Sequence, residues 1–289
     1  LGAATAEVKS GGRTLIFSGD LGRYDDPVMC DPKPVTHADY VVVESTYGDR
    51  THAKTDPMAE LGDIIERTVQ RGGTVVIPAF AVGRVQSLLY QLWLLKRAGR
   101  LGATPVFLDS PMAISATDLL RAHPDDHKLD ADAVEGSCAV ATYTRDVEAS
   151  KAITSNPMPK VVIAGSGMAT GGRVVHHIRT FAPDPRSTIL FAGYQAVGTR
   201  GARLLAGETE LKMFGQWIPV RAEIVSLPQL SAHADADEIM RWLSGFEQAP
   251  RRLFIVHGEP AASEALRTRV ERELKWTASV VDPLFSYDL

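Results

Sequence analysis

Cysteine is scarce in this sequence, and so are long apolar runs and an excess of positive charge. The chain of 289 residues has two cysteines, Cys30 and Cys138, which lie far apart and form no Cys-x-x-Cys pair. This usage favours free thiols in a reducing compartment over a disulfide framework. We therefore expect a cytoplasmic protein.

Two further absences narrow the class of protein. No stretch approaches 18 consecutive apolar residues, and no basic-then-apolar segment opens the chain, so neither a membrane span nor a secretory signal is expected. The net charge is −4. A protein that coats a nucleic-acid backbone is normally basic, but an enzyme that meets phosphate in a local, metal-lined cleft is still allowed.

Short β-branched runs alternate with helical patterns, and this alternation predicts an α/β fold. The predicted strands are Thr14–Phe17, Tyr40–Val43, Thr74–Ile77, Val106–Leu108, Val161–Ala164, Thr188–Phe191, Ala222–Val225 and Leu253–Val256. The predicted helices are Met58–Gln70, Val85–Ala98, Arg173–Thr180, Ala236–Leu243 and Ser263–Leu274. Asp56-Pro57 and the pair Asp235 and Glu238 are typical helix starts.

Polar residues and glycines follow most of these strands. They include Ser18-Gly19-Asp20, Glu44-Ser45-Thr46, Asp109-Ser110, Gly165-Ser166-Gly167 and His257-Gly258-Glu259. In open α/β sheets ligands bind outside the carboxyl ends of the strands, so chemistry is expected to gather there. Carboxylates, imidazoles and glycine loops suit a metal and a phosphate.

Two acids stand at predicted strand ends. Asp20 lies between glycines in Ser18-Gly19-Asp20-Leu21-Gly22, which would leave its carboxylate exposed at the tip. Glu44 follows Val41-Val42-Val43 and could orient a histidine. Taken alone, Asp20 could equally be an ordinary turn residue and Glu44 a cap of the following segment.

Two histidines occupy comparable positions. His233, in Ser231-Ala232-His233-Ala234-Asp235, precedes a predicted helix, where it could face phosphate or act as a general acid. His257 directly follows a predicted strand, a position that suits a metal ligand. A lone histidine is more often structural, so neither residue is specific by itself.

A glycine-rich loop, Gly165-Ser166-Gly167-Met168 followed by Gly171-Gly172, joins a predicted strand to a predicted helix. Its backbone N–H groups could bind an anion. A dinucleotide site is the obvious alternative, but the spacing is GxGxxxGG and not GxGxxG, which argues against it.

The remaining histidines do not predict a metal site. Pro124 would break a helix that carried both His123 and His127. His176 and His177 are adjacent and therefore point to different faces of a helix. His37 and His52 lie in polar loops, where we expect them to be solvated.

Taken in order, these stretches resemble the β-CASP nucleases, a branch of the metallo-β-lactamase fold. The motifs that carry the resemblance are Leu1-Gly2-Ala3-Ala4, Phe17–Gly22, Glu44–Arg50, Pro78–Arg84, Leu108–Ala113, Gly165–Met168, Ser231–Asp235 and Val256–Glu259. Each is weak alone, but the ordered set covers essentially the whole chain.

The resemblance implies a partial metallo-β-lactamase (αββα) fold with an inserted α/β β-CASP domain. The metallo-β-lactamase parts would be residues 1–45 and 222–289, and the β-CASP domain would be residues 46–221. The implied activity is zinc-dependent cleavage of single-stranded RNA, internally, from the 5′ end, or both. Two zinc ions would be bound per complete active site.

The resemblance also implies residue roles. Asp20 is similar to the ligand that bridges the two zinc ions, and His257 to a ligand of the second ion. Glu44 corresponds to the acid at the start of the insertion, and His233 to the imidazole near the scissile phosphate. The catalytic group would thus be His233, Glu44 and Asp20. Phosphate or RNA would be bound by Ser166, Gly167, Met168 and His233.

One departure from the family pattern is large. The His-x-His-x-Asp-His motif, which supplies four zinc ligands, does not occur in this sequence, and no histidine precedes Leu1. Each zinc needs three or four protein ligands. We therefore expect that this chain lacks an N-terminal metal-binding segment, leaves sheet edges exposed, does not assemble the two-zinc centre and is inactive alone.

Two other classes of function compete with the nuclease. A non-catalytic β-CASP scaffold of an RNA-processing complex is one, although such a protein would be expected to lose some of Asp20, Glu44, His233 and His257. A small-molecule metallohydrolase is the other, but a small substrate does not need the long segment between Glu44 and His233.

Overall fold

The structure is a computed structural model and describes residues 2–53, 55–282, 284 and 286–287. The chain divides into two compact units. Residues 2–52 and 232–289 form the terminal unit, and residues 53–231 form the central unit. The assignment of residues 1–45, 46–221 and 222–289 to family domains stays a prediction, because compactness does not define the extent of a family domain.

The described residues form thirteen strands and nine α-helices. In chain order the strands are β1 (Ala6–Ser10), β2 (Arg13–Phe17), β3 (Tyr40–Glu44), β4 (Thr74–Pro78), β5 (Val106–Asp109), β6 (Thr142–Tyr143), β7 (Lys160–Ala164), β8 (Thr188–Phe191), β9 (Glu210–Met213), β10 (Gln216–Pro219), β11 (Glu223–Ser226), β12 (Arg252–Val256) and β13 (Ala278–Val280). The helices are α1 (Pro57–Gln70), α2 (Arg84–Arg97), α3 (Pro111–Ala122), α4 (Ala131–Ala139), α5 (Val147–Ser155), α6 (Arg173–Phe181), α7 (Arg200–Leu205), α8 (Ala236–Leu243) and α9 (Pro260–Glu273).

The terminal unit contains a five-stranded sheet in the order β1-β2-β3-β12-β13. β1 and β2 form an antiparallel hairpin, and β2, β3, β12 and β13 run parallel. Alternate strand residues such as Ile16, Val41 and Ile255 pack in one core with Ile239 of α8 and Leu266 of α9. The helices therefore cover one face of this sheet, as the period of two along each strand requires.

The central unit contains a six-stranded parallel sheet in the order β11-β8-β4-β7-β5-β6, and β9 and β10 form a separate hairpin. All residues of β4 and β7 are buried. This matches their nearly continuous apolar sequences, which are typical of parallel strands covered on both faces.

The connections that follow the neighbouring strands β4 and β7 lead to opposite faces of this sheet. Helix α2 follows β4 and packs, through Leu88, in the core that contains Ile77 of β4. Helix α6 follows β7 and packs, through Ile178, in the core on the other face, which contains Val76 of β4. The carboxyl ends of β4 and β7 therefore border a crevice at a topological switch point, the usual ligand position in doubly wound sheets.

The α/β fold class is confirmed, and the structure contains every strand and helix that the sequence predicts, with ends shifted by a few residues. Asp56 caps α1, and Asp235 with Glu238 forms a capping box on α8. Sequence patterns did not predict the following elements: β1, β6, β9, β10, β13, α3, α4, α5 and α7. Most of them are short, and α4 has small residues and little amphipathic character to signal a helix.

Within the part of the chain that the structure describes, no helix has the length and apolar character needed to cross a membrane.

A buried carboxylate, Asp109 at the end of β5, ties elements of the central unit together. It accepts hydrogen bonds from Arg173 Nη1 at 2.6 Å and His177 Nε2 at 2.7 Å, both on α6, and from Ser150 Oγ of α5 at 2.5 Å. Burial by itself would raise the pKa of Asp109, but these hydrogen bonds hold it below its ordinary value. The carboxylate is thus used to join β5, α5 and α6.

We expect Asp109→Asn to lower the free energy of unfolding by about 3–5 kcal/mol, the usual loss when one partner of a buried charged pair is removed. Because the folded-state pKa of Asp109 lies below that of the unfolded chain, its contribution is present at neutral pH and is lost as pH falls through the folded value. The difference between wild type and variant should therefore narrow below about pH 4.

Urea denaturation at several pH values measures this effect. Asp132→Asn is the matched control, because the side chain of Asp132 is 80% exposed and its ion pair with Arg97 lies at the surface. A loss below about 1 kcal/mol for Asp109→Asn would show that the buried pair does not contribute as described.

Candidate metal and phosphate site

The parallel strands β2, β3 and β12 are neighbours in the terminal sheet, so their carboxyl ends lie at the same edge. Asp20 follows β2, Glu44 is the last residue of β3, and His257 follows β12 directly. The register pairs Glu44 with Val256. The sheet therefore brings His257 next to Asp20 and Glu44, which lie more than two hundred residues earlier in the sequence.

Asp20 is exposed at this edge because the backbone turns sharply before it. Gly19 has φ +59°, and a Cβ at that position would lie 2.5 Å from the Ala4 carbonyl oxygen. Only glycine fits such a close approach of two backbone segments. The side chain of Asp20 is 58% exposed, and its Oδ1 lies 3.5 Å from His257 Nδ1.

His257 has a left-handed backbone conformation, φ +54°, which is uncommon for a non-glycine residue and often occurs at functional sites. The next residue, Gly258, packs so closely on Ser45 that a Cβ would overlap that residue. The imidazole is 58% exposed. Its Nδ1 lies 3.3 Å from Thr46 Oγ1.

Glu44 and His233 form a pair beside these two residues. His233 Nδ1 lies 3.1 Å and 3.0 Å from the two carboxylate oxygens of Glu44. A carboxylate only accepts hydrogen bonds, so Nδ1 carries the hydrogen and the neutral ring has its lone pair on Nε2. Glu44 is 1% exposed and also accepts from Thr46 Oγ1 at 2.6 Å. Its charge is therefore hydrogen-bonded although it is buried.

The loop that carries His233 is held along its backbone. Ala234 N–H donates to the Leu21 carbonyl oxygen at 2.8 Å, and Gly22 and His233 form a bridge. Asp235 then caps α8. The imidazole is thus placed by contacts to the loop after β2 and by the start of α8.

The donor atoms of Asp20, His233 and His257 all lie within 4.8 Å of one another. One carboxylate and two imidazoles are ligands that zinc accepts. The distance of 3.5 Å between Asp20 Oδ1 and His257 Nδ1 is close to the ~3.4 Å that a tetrahedral ion with bonds of about 2.1 Å imposes on neighbouring ligand atoms. The residues therefore fit a zinc ion in kind and spacing, but three donors cannot complete two zinc sites.

A second group of possible donors in this unit, His52, Asp235 and Glu238, does not resemble a metal site. Asp235 and Glu238 bond to each other's backbone N–H groups in the capping box of α8. Burial raises the pKa of Glu238. These acids are accounted for as the helix start that the sequence predicts.

The expectation that His52 is solvated is wrong. Its backbone N–H donates to Asp235 Oδ2 at 2.8 Å, and its ring lies edge-on to Tyr47 with centroids 5.0 Å apart. Its Nε2 lies 3.0 Å from the His233 carbonyl oxygen, which can only accept, so Nε2 donates. His52 thus braces the backbone of His233, a role that no local pattern signals because the two residues are 181 positions apart.

Thr46 is the other residue that sequence reasoning missed. It contacts both Glu44 and His257, so it links the Glu44–His233 pair to the exposed histidine beside Asp20. Thr46 lies in the turn that follows β3, where strand alternation no longer applies, so no local pattern signalled this role.

Three of the four predicted phosphate-binding residues, Ser166, Gly167 and Met168, lie in the central unit after β7, whereas the fourth, His233, belongs to the terminal unit. Ser166 Oγ accepts from the N–H groups of Thr170 and Gly171 at 3.1 Å and 3.3 Å. These bonds close the loop on itself.

The histidines that were not expected to bind metal occupy structural or surface positions. His127 is buried and its Nε2 donates to the Leu120 carbonyl oxygen at 3.1 Å, while α3 ends before Pro124. His177 is buried against Asp109, whereas its neighbour His176 is exposed and stacks on Phe214.

Comparison with known proteins finds two domain families on this chain. The Beta-Casp domain matches residues 85–204, and the Zn-dependent metallo-hydrolase RNA specificity domain matches residues 217–281. The second match contains His233 and His257, and the first contains the glycine loop.

Curated relatives match most of the chain. Ribonuclease TTHA0252 of Thermus thermophilus is 38% identical over 268 residues, 89% of this chain and 60% of that protein. Transcription termination factor FttA of Methanosarcina mazei is 32% identical over 294 residues, 95% of this chain and 46% of that protein. The RNase J-like protein of Methanocaldococcus jannaschii is 27% identical over 281 residues, 95% of this chain and 65% of that protein. The chain thus spans about half to two thirds of these relatives.

We expect His52→Leu to loosen His233, because it removes the donor to the His233 carbonyl oxygen. The unfolding free energy should fall by about 0.5–1.5 kcal/mol, the net value of one hydrogen bond. In NMR spectra of the histidine-labelled chain, the Nδ1–H signal of His233 should exchange faster with water. His52→Gln retains a side-chain N–H and should restore most of the protection, and exposed His37→Leu is the control. An unchanged His233 signal in His52→Leu would contradict the bracing role.

Proposed function

The chain belongs to the β-CASP family of the metallo-β-lactamase fold, and on this premise we propose that it is part of a zinc-dependent ribonuclease that hydrolyses phosphodiester bonds of single-stranded RNA. The observation that carries the proposal is the convergence of Asp20, His257 and the Glu44–His233 pair at one sheet edge. Internal cleavage and removal of nucleotides from the 5′ end are both compatible with this site. The free thiols of Cys30 and Cys138 support a cytoplasmic location.

Asp20 and His257 are the residues that would hold zinc, because their donor atoms are exposed and suitably spaced. Zinc, when bound, supplies a Lewis acid for phosphodiester hydrolysis. His233 has a different role from these two residues, because its Nδ1–H donates to the carboxylate of Glu44. That bond fixes the ring orientation and stabilises the imidazolium, so that Nε2–H can donate a proton to a phosphate or leaving oxygen.

RNA is the proposed substrate on two grounds. The family model that covers His233 and His257 is described as an RNA specificity domain. Two of the relatives carry ribonuclease names, Ribonuclease TTHA0252 and RNase J-like protein.

The glycine loop at Ser166, Gly167 and Met168 is proposed to hold the RNA backbone, because its position at the carboxyl edge of the central sheet is where ligands of such sheets bind.

A non-catalytic scaffold is the second candidate, and one observation favours it. The described residues offer three convergent donors at the site, whereas two zinc ions need about six to eight less any shared bridge. If no further ligands complete the site, the chain would bind RNA without cutting it.

Incubation of the full-length gene product with single-stranded RNA and zinc tests the cleavage proposal. We expect cleavage that a chelator abolishes, and His233→Ala should slow it by about 10²–10⁴-fold, the usual contribution of a general acid or base. His37→Ala, at an exposed position, should be neutral. A folded protein that binds RNA but never cuts it would favour the scaffold, and an unchanged rate in His233→Ala would exclude the role assigned to that residue.

The donor count makes a separate prediction for the 289-residue chain by itself. Metal analysis after equilibration with zinc should find well below two ions per chain, because Asp20 and His257, even with His233 counted, are too few to complete two sites. Asp20→Asn should lower the occupancy further, and Asp132→Asn should not. Two tightly bound ions per chain would refute the incomplete site.

A further inference from the structure

The crevice between β4 and β7 in the central unit contains a motif that the proposed catalytic roles do not use, Pro78–Arg84. One wall of the crevice is the segment 79–83, which leads to α2, and the other is the glycine loop 165–172, which leads to α6. The two segments lead to opposite faces of the sheet, because α2 and α6 pack on opposite faces.

Phe80 stands in this crevice as an exposed aromatic ring on a fixed support. It is 48% exposed, and a Cβ added to Gly167 would lie 2.5 Å from its Cδ2 atom, so the ring rests directly on the glycine backbone. The Phe80 carbonyl oxygen accepts from Val85 N–H at 3.3 Å, which ties its backbone to the first turn of α2. A large apolar side chain is normally buried, and one held rigid in the open is suited to bind another flat apolar group.

Arg200 places a positive charge on the same glycine loop. Its Nη1 donates to the carbonyl oxygens of Ala169 at 3.3 Å and Thr170 at 2.9 Å. The ion pairs between described residues do not include Arg200, whereas Arg173, which begins α6 after the loop, pairs with Asp109. The charge at this crevice is therefore available for an anion.

The glycine loop that contacts both Phe80 and Arg200 is held in place by hydrogen bonds from the segment before and at the start of α7. Gln195 Nε2 donates to the Gly167 carbonyl oxygen at 3.0 Å, and Gly201 N–H donates to the Met168 carbonyl oxygen at 3.2 Å. Gly167 and Ala169 are two residues apart and so at most ~7 Å from each other along the chain. The aromatic ring and the positive charge thus contact neighbouring positions of one short loop.

We propose that this crevice binds one nucleotide of single-stranded RNA, with its base stacked on Phe80 and its phosphate facing Arg200. The assignment rests on the proposed function, since it presumes that RNA is the substrate. An aromatic platform beside a cation is the usual combination for single strands, because every base has a flat face and every nucleotide has a phosphate. A base in a duplex is already stacked and cannot use the platform.

The test is binding of a labelled oligoadenylate by fluorescence anisotropy, with EDTA present so that no cleavage occurs. Phe80→Leu keeps an apolar contact to Gly167 but has no aromatic face, and it should weaken binding by about 5- to 150-fold, the value of one stacked base. Phe80→Trp should bind at least as tightly, and its fluorescence should be quenched by the base. Phe214→Leu is the matched control, because Phe214 is 52% exposed in the same unit but lies on His176.

An abasic ribose-phosphate oligomer separates stacking from a merely structural role. Wild type and Phe80→Leu should bind it equally, because it has no base that could stack on the ring of Phe80. Arg200→Gln, in contrast, should weaken binding of both oligomers and reduce the slope of log K against log salt by about one. Arg200→Lys should retain that slope.

The outcomes distinguish this site from the function on which it rests. If wild type binds oligoadenylate and Phe80→Leu binds equally well, the subsite is wrong while the RNA-binding function stands. If Phe80→Leu loses affinity for the abasic oligomer to the same extent, Phe80 only shapes the loop and the stacking assignment fails. If wild type binds no single-stranded RNA at all, the proposed function fails first.

Discussion

The hydrogen bond from His233 to the buried carboxylate of Glu44 is the interaction on which the candidate site depends. A carboxylate that is 1% exposed is tolerated only when its oxygens are hydrogen-bonded, and His233 and Thr46 provide those bonds. The same bond fixes which nitrogen of His233 carries the hydrogen and where the ring points. Removing it would leave a buried charge unpaired and a histidine unoriented, so fold stability and chemistry are coupled at this one contact.

The rest of the site follows from the geometry of a parallel sheet. Because β2, β3 and β12 run side by side, the residues after them form a cluster without any local sequence contact between them. Close backbone packing sets the final positions, through Gly19 against Ala4 and Gly258 against Ser45. The buried acid orients the histidine, while the exposed Asp20 and His257 stay accessible. Orientation and ligand binding are thus assigned to different side chains.

Much of this arrangement could be predicted from the sequence. The alternation of apolar strands and amphipathic helices predicted the α/β class, and the ordered motifs predicted the family, which the two domain matches confirm. Asp20, Glu44 and His257 were identified at the ends of strands, and His233 was identified just before a helix. His52 and Asp109 could not be assigned, because their partners come from distant parts of the chain and only the tertiary fold shows them. The short helix α7 was missed because its 6 residues span less than two turns.

Anomalous diffraction at the zinc edge from crystals of the zinc-soaked chain tests the central claim most directly. A peak should lie about 2.0–2.2 Å from both the Asp20 carboxylate and the His257 imidazole, with His233 Nδ1 still bonded to Glu44. A peak elsewhere on the chain, or a zinc ion at this edge with His233 turned away from Glu44, would contradict the account.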